Sequence, residues 1–202
     1  VTFDDGTANI NYQSKYAPEM KAWRDRAYRR AFGGLPNRAF IDRVARHYTI
    51  FGEADHLMDR SRLRYLKPLL SNNGNALSEE GMITYFIGAP FSEVLSAAQI
   101  ERLNDAVERW DVDYVVPHPR QTEKLGFETA VSILDKQGEI AERAIETHAN
   151  GRRIVLVGCF STVMFTMRPL AVRRIVLLAS DDPRTPGMAR IAENADCEVI
   201  QF

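Results

Sequence analysis

The sequence predicts an α/β protein built on a parallel sheet with helices on both faces. Three observations carry that prediction. The first is a series of short runs, Met82 to Ile87, Val112 to Val116, Ile154 to Val157 and Arg174 to Ala179, rich in apolar and β-branched residues. Strands buried on both faces read this way, without regular polar alternation. The second is that segments of helical spacing lie between these runs, so strand and helix alternate along the chain. The third is composition. The 202 residues are 45% apolar and 26% charged, ordinary values for a folded chain that buries a real core.

Val1 to Phe3 reads as the tail of a strand, and Asp4-Asp5-Gly6-Thr7 after it as a turn. Pro18 to Phe32 has helical spacing, with Met20, Trp23, Ala27 and Ala31 on one face, and Gly33-Gly34 stops it. Its basic run Arg24, Arg26, Arg29, Arg30 reads first as a solvated face and second as a contact for an anionic membrane surface. Pro36 begins a second helix with Phe40, Ile41 and Val44 inward. Tyr48 to Phe51 is a short β-like run, and Ser71-Asn72-Asn73-Gly74-Asn75 is the best linker candidate.

Beyond the linker, the strand Met82 to Ile87 ends at Gly88-Ala89-Pro90. Phe91 to Trp110 is predicted as one helix, with Val94, Leu95, Ala98, Leu103 and Val107 at its apolar positions. The strand Val112 to Val116 runs into Pro117-His118-Pro119-Arg120, and Ala130 to Leu134 is a short edge strand. Glu139 to His148 is helical and is closed by Asn150-Gly151. Ile154 to Val157 is a strand broken at Gly158, followed by a short helix from Ser161 to Met167. Arg174 to Ala179 is a strand, Met188 to Asn194 a helix and Glu198 to Phe202 the last strand.

Several classes of function are disfavoured. The 26 basic and 27 acidic side chains leave a net charge of −1, which gives no field to favour nucleic acid. Cys159 and Cys197 sit in apolar surroundings and read as buried, reduced thiols. The longest charge-free apolar stretch, Ile154 to Met167, is shorter than the roughly 20 residues a membrane span needs. No His and Cys grouping has zinc spacing, so no metal site is expected. No G-x-G-x-x-G or Walker pattern occurs. The opening Val1-Thr2-Phe3 suggests that an N-terminal part is missing, and any anchor would lie there.

Ligands of parallel sheets bind beyond the carboxyl ends of the strands. Four clusters stand at such ends. Asp4 and Asp5 are adjacent carboxylates, and mutual repulsion raises the pKa of one toward the range of a base; a plain strand-end turn is the alternative. His118, between two prolines and beside Arg120, is on a stiff loop fit to hold an anion or to donate to a leaving group; a loop His capping a strand is the alternative. Ser161 and Thr162 open a helix whose free amides and hydroxyls suit phosphate, or else they are ordinary caps. Gly88 either lets a backbone approach a ligand or serves a turn. His47, His56 and His148 read as structural or exposed.

In combination these clusters resemble a known family. Thr2-Phe3-Asp4-Asp5-Gly6-Thr7-Ala8-Asn9, Val116-Pro117-His118-Pro119-Arg120-Gln121 and Phe160-Ser161-Thr162 are similar to motifs of the bacterial sialyltransferases of glycosyltransferase family 52. Tyr48-Thr49-Ile50-Phe51, Met58-Asp59 and the strand ending in Gly88-Ala89-Pro90 resemble that family too.

The resemblance implies a GT-B-like fold of two Rossmann-like domains facing across a cleft. Residues 1–80 would then be the end of the acceptor-side domain with a helical extension, and residues 81–202 the domain that binds the nucleotide sugar. It implies CMP-sialic acid as donor, a terminal galactose of lipooligosaccharide as acceptor, and no cofactor. The place of action would be the bacterial cytoplasm, peripheral to the inner membrane, with a homodimer as one candidate assembly. The implied reaction is a single inverting, metal-independent displacement. Asp5 would act as base and His118 would donate to the departing phosphate. Pro119, Arg120, Ser161, Thr162 and Gly88 would bind the CMP. The chain alone is expected to be inactive.

One departure stands out. One type of relative within the family carries Asp directly after the Gly-x-Pro turn, where Phe91 stands here, followed by Ser92 and Glu93. That leaves Asp5 as the base, with Asp4 or Glu93 as base or supporting acid. Two other readings fit the departure: a related glycosyltransferase with another sugar-nucleotide donor, and a nucleotide- or glycan-binding domain without catalysis.

Overall fold

The computed structural model describes residues 1–3, 30, 41–51, 56, 58–66 and 81–202. The turn with Asp4 and Asp5, the helix read over 18–32 apart from the exposed Arg30, the position of Phe40 and the linker at 71–75 lie outside the described residues. The chain divides into two units, Val1–Lys67 and Pro68–Phe202.

In the first unit three short strands, β1 (Thr2–Phe3), β2 (His47–Thr49) and β3 (Leu63–Tyr65), pair in parallel in the order β1-β2-β3. Ile41, Val44, Phe51 and Leu63 are buried, as are His47 and Thr49. Arg62 donates to the carbonyls of Ile41 at 3.1 Å and Asp42 at 2.9 Å. Asp59 accepts from the Ser61 N–H at 2.8 Å and hydroxyl at 2.6 Å. Those bonds hold its carboxyl below the usual range.

The second unit carries a six-stranded parallel sheet. Its strands are β4 (Met82–Ile87), β5 (Tyr114–Val116), β6 (Ser132–Ile133), β7 (Arg153–Gly158), β8 (Ala171–Leu178) and β9 (Glu198–Gln201). The helices are α1 (Phe91–Val94), α2 (Ala97–Val107), α3 (Ala141–Ala149), α4 (Thr162–Thr166) and α5 (Thr185–Asn194). The spatial order is β6-β5-β4-β7-β8-β9. From β4 the chain winds outward one way to β6, crosses back to β7, and winds outward the other way. This is the doubly wound, Rossmann-like arrangement expected for the alternation of strand and helix.

Register fixes the two faces. Phe86 pairs with Val115 and Val157, and Val157 with Ile175, so this row faces one side. It packs there with Leu103 and Val107 of α2. Tyr85 pairs with Tyr114 and Leu156, and Leu156 with Arg174, so that row faces the other side. There the Tyr85 hydroxyl meets His148 Nδ1 of α3 at 2.7 Å, and Arg174 donates to the Met164 carbonyl of α4 at 2.8 Å. Burying a side chain such as Phe86, wholly enclosed here, contributes about 1.5–3 kcal/mol.

Some boundaries differ from the sequence reading. The helix read over Phe91 to Trp110 is two helices. Ser96 breaks it by capping α2 in a reciprocal capping box with Gln99. Val94 and Ala98, read as inward, are exposed: the break separates Val94 from the helix that Leu103 and Val107 bury, and Ala98 lies on the opposite face of α2 from Val107. The edge strand is only Ser132–Ile133, and α5 begins at Thr185 with Pro186 in its first turn. Asn150 (φ 47°) and Gly151 (φ 84°) end α3 in the left-handed region, the closure their types allow. Cys159 and Cys197 are buried and free.

Candidate functional site

The order of the strands puts the switch in winding direction between β4 and β7, and a crevice opens beyond the carboxyl ends of such strands. The two strands are close there. A Cβ on Gly158 would stand 2.8 Å from the Ile87 carbonyl oxygen. Three loops rise from adjacent strands: 88–90 after β4, 117–121 after β5 and 159–161 after β7. With strands about 4.8 Å apart, the loops share a rim about 10 Å wide.

His118 stands at the end of β5. Pro117 and Pro119 stiffen its backbone and stop the strand. The Arg120 N–H donates to His118 Nδ1 at 3.1 Å, and the Gln121 N–H donates to the His118 carbonyl at 3.0 Å. Because Nδ1 accepts, the neutral ring carries its proton on Nε2 and presents it as a donor. The ring is only partly buried. That burial, with the charges of Arg120 and Lys136, holds its pKa below the ordinary value, while Glu93 pulls weakly the other way. A neutral imidazole donating from Nε2 is therefore the resting form near neutral pH.

Gly88 is packed by this loop. Its N–H donates to the Val116 carbonyl at 2.9 Å. A Cβ there would meet Gln121 Oε1 at 2.2 Å and the His118 nitrogen at 2.9 Å. The close approach that needs glycine is made by protein atoms. Gln121 in turn donates from Nε2 to the Glu123 carbonyl and to Oε1 of the buried Glu128, both at 2.9 Å. Lys136, just beyond β6, donates from Nζ to the Pro117 carbonyl at 2.6 Å. Gln121, Glu128 and Lys136 were assigned no role from sequence. Gln121 stood inside the quoted motif, while the other two carry no local pattern and meet the loop only through the fold.

Arg120 and Pro119 are exposed. Arg120 Nη1 pairs with Glu93 Oε2 at 2.9 Å, tying the β5 loop to α1. Phe91 is fully buried and stacks on Phe86, with ring centroids 6.2 Å apart. The position after Gly88-Ala89-Pro90 thus points into the core, and Glu93 is the first acid beyond it.

Beyond β7, Ser161 occupies the N-cap position of α4 without making a side-chain cap bond, so its hydroxyl does not serve the capping alternative. Thr162 is the first helical residue, and both side chains are partly exposed. Thr166 anchors this short helix by donating to Glu142 Oε1 of α3 at 2.7 Å. Cys159 is buried behind the loop, with its thiol pushed up to about 12 by burial. His148 lies in the Tyr85 and Tyr114 aromatic cluster, and His56 meets the Phe51 carbonyl at 2.7 Å.

The structure thus gathers Gly88, Glu93, His118, Pro119, Arg120, Ser161 and Thr162 on loops and a helix start at one end of the sheet; Asp4 and Asp5 lie outside the described residues. Among the described residues no group of three or more His, Cys, Asp or Glu stands ready to hold a metal ion. No helix among them is long and apolar enough to cross a membrane.

The fold and rim together define a Rossmann-like α/β domain with polar side chains gathered at the carboxyl ends of the strands around its switch point. The sequence model of glycosyltransferase family 52 matches residues 1–182, and the chain belongs to that family. An N-acetyllactosaminide alpha-2,3-sialyltransferase of Neisseria meningitidis serogroup A / serotype 4A (strain DSM 15465 / Z2491) is 30% identical over 139 residues. That alignment takes in 65% of this chain and 36% of the relative, so the match spans about a third of the relative's length.

Proposed function

We propose that this chain is part of a sialyltransferase that moves sialic acid from CMP-sialic acid to a terminal galactose of lipooligosaccharide with inversion. In this reading the unit Pro68–Phe202 binds the donor, and the unit Val1–Lys67 belongs to the acceptor side of a GT-B enzyme. The observation that carries the reading is His118: a neutral imidazole at the sheet's rim, its Nδ1 occupied by the Arg120 N–H at 3.1 Å, its Nε2–H left to donate. Family membership and the sialyltransferase activity of the Neisseria meningitidis relative support sialyl transfer as the reaction.

The chemistry follows from the charges that move. The acceptor hydroxyl attacks the anomeric carbon of sialic acid on the face opposite the phosphate. Asp5 takes the hydroxyl proton, and the bond from carbon to phosphate oxygen breaks, so that CMP leaves with the electron pair. Negative charge on the phosphate grows in the transition state. A fixed donor aimed at it, His118 Nε2–H, lowers the barrier because it is stronger there than in the ground state. Ser161, Thr162 and the amides at the start of α4 hold the phosphate, and Arg120 and Pro119 border it. Gly88 contributes by letting the His118 loop close on β4. No metal is required in this scheme, because the imidazole and amides meet the departing charge.

The test is transfer by the intact protein. His118→Ala should reduce kcat by about 10²–10⁴-fold while melting stays within a few degrees of wild type. A wild-type rate in that variant ends the proposal. Turnover of another sugar nucleotide, with none of CMP-sialic acid, would assign a different donor.

A further inference from the structure

We infer that Lys136 is a second cationic contact for the donor, binding an anionic oxygen next to the one that His118 serves. The inference rests on the donor reading above and extends it to a residue of a different strand end.

The sheet order places the groups. β5 lies between β6 and β4, so His118 has the β6 end on one side and the β4 end on the other. From the β4 side Glu93 reaches Arg120, and their charges cancel at 2.9 Å. From the β6 side comes Lys136, partly buried, with Nζ donating to the Pro117 carbonyl at 2.6 Å. Pro117 is the residue before His118, so the ammonium is held on the backbone of the His118 loop, near enough for its charge to act on the imidazole.

Its backbone is also fixed. Lys136 opens a tight turn in which the Glu139 N–H donates to the Lys136 carbonyl at 2.8 Å. The turn's central residues, Gln137 (φ 49°) and Gly138 (φ 82°), are both left-handed. Asp135, the nearest carboxylate in sequence, is engaged with the Gln137 N–H at 2.9 Å. Among the described residues no carboxylate pairs with Lys136. A partly desolvated ammonium satisfied by one neutral carbonyl keeps two N–H donors and a full charge to offer. An anion is the ligand that such a group favours.

A CMP-sialic acid donor brings two anions to one anomeric carbon, the phosphate and the carboxylate. A rim that carries both an imidazole donor and an ammonium without a carboxylate partner matches that pair. Either anion would satisfy Lys136, and the two sources separate by experiment.

Calorimetry with CMP and with CMP-sialic acid is run on wild type, Lys136→Met and Lys136→Arg, with cytidine as the uncharged probe. Lys136→Met is expected to weaken CMP-sialic acid about tenfold or more, to leave cytidine unchanged, and to be largely rescued by Lys136→Arg. Equal weakening of CMP assigns the phosphate; unchanged CMP assigns the carboxylate. Unaltered affinity for both charged ligands in Lys136→Met overturns the Lys136 assignment and leaves the donor reading standing. Wild-type protein that binds neither CMP nor CMP-sialic acid overturns both. Matching melting curves show that the variants are folded.

Discussion

Gln121 Oε1 lies 2.2 Å from where a Cβ on Gly88 would stand, so the loop carrying His118 is seated in space that only glycine leaves open. Two backbone atoms close the same space, the His118 nitrogen at 2.9 Å and the Val116 oxygen at 3.0 Å. Gly88→Ala must therefore move the loop as well as the Gln121 side chain. The expected cost is about 1–3 kcal/mol in urea unfolding, with a fall in transfer as His118 Nε2 shifts from the rim. Gln121→Ala in the same chain removes the nearest contact. The double variant should then recover at least about 0.5 kcal/mol relative to additivity. Strict additivity would show that the loop does not rest on Gly88.

The base can be assigned by comparing two carboxylates. Glu93 is bound to Arg120 at 2.9 Å and half exposed on α1. In the proposed reaction Asp5 takes the acceptor proton. Asp5→Asn is expected to lower kcat by about 10²–10⁴-fold with donor KM within a few-fold, whereas Glu93→Gln should leave kcat within a few-fold. The reverse pattern in steady-state kinetics would move the base to Glu93.

Acid stability follows from two imidazoles. His118 and His148 both titrate below the ordinary histidine value in the folded chain, chiefly because burial disfavours the charged ring. As pH falls below about 6.5 the unfolded chain takes up these protons and the folded chain does not, so stability is full above that pH and declines below it. Each histidine can contribute at most about 1.4 kcal/mol per pH unit over that interval. His148 also meets the Tyr85 hydroxyl at 2.7 Å and takes Arg152 against its own carbonyl at 3.0 Å. Melting from pH 8 to pH 5 should show the decline, and His148→Gln should flatten it. An unchanged slope in that variant would remove His148 from the account.

The sheet was legible because its strands are buried on both faces. Phe86, Val115, Val157 and Ile175 gave continuous apolar runs, and the turn residues at Gly88, Pro117 and Gly158 marked their ends. The rim was legible for the same reason, since function in such a sheet gathers where strands stop. Other features depend on tertiary partners. The break before α2 needs Ser96 and Gln99 to cap each other, and a continuous helical spacing conceals it. Phe91 at a motif position could be compared with an acid only as a letter; its stacking on Phe86 shows that the site faces inward. Lys136 stands 18 positions from His118 and reaches the loop through the β5–β6 pairing. Nothing local signals that.

Arg174 tests how the α4 side of the rim is supported. It sits mid-strand in β8 and is buried. It donates from Nη1 to the Met164 carbonyl at 2.8 Å and from Nη2 to the Ala195 carbonyl at 2.5 Å. It thus joins the sheet to α4, which Ser161 and Thr162 begin, and to the end of α5. Arg174→Met keeps much of the volume but leaves the buried Met164 carbonyl and the partly buried Ala195 carbonyl without that donor. The expected loss is about 2–4 kcal/mol in urea unfolding. Because α4 is only five residues long and anchored also by Thr166 on Glu142, its first turn should loosen before the sheet does. Hydrogen exchange should then quicken at Met164 and Met167, whose N–H groups donate to the Ser161 and Val163 carbonyls, while Phe86 and Val157 stay protected. Uniform quickening across the sheet would show that Arg174 stabilises the unit as a whole and does not specifically support the Ser161 part of the rim.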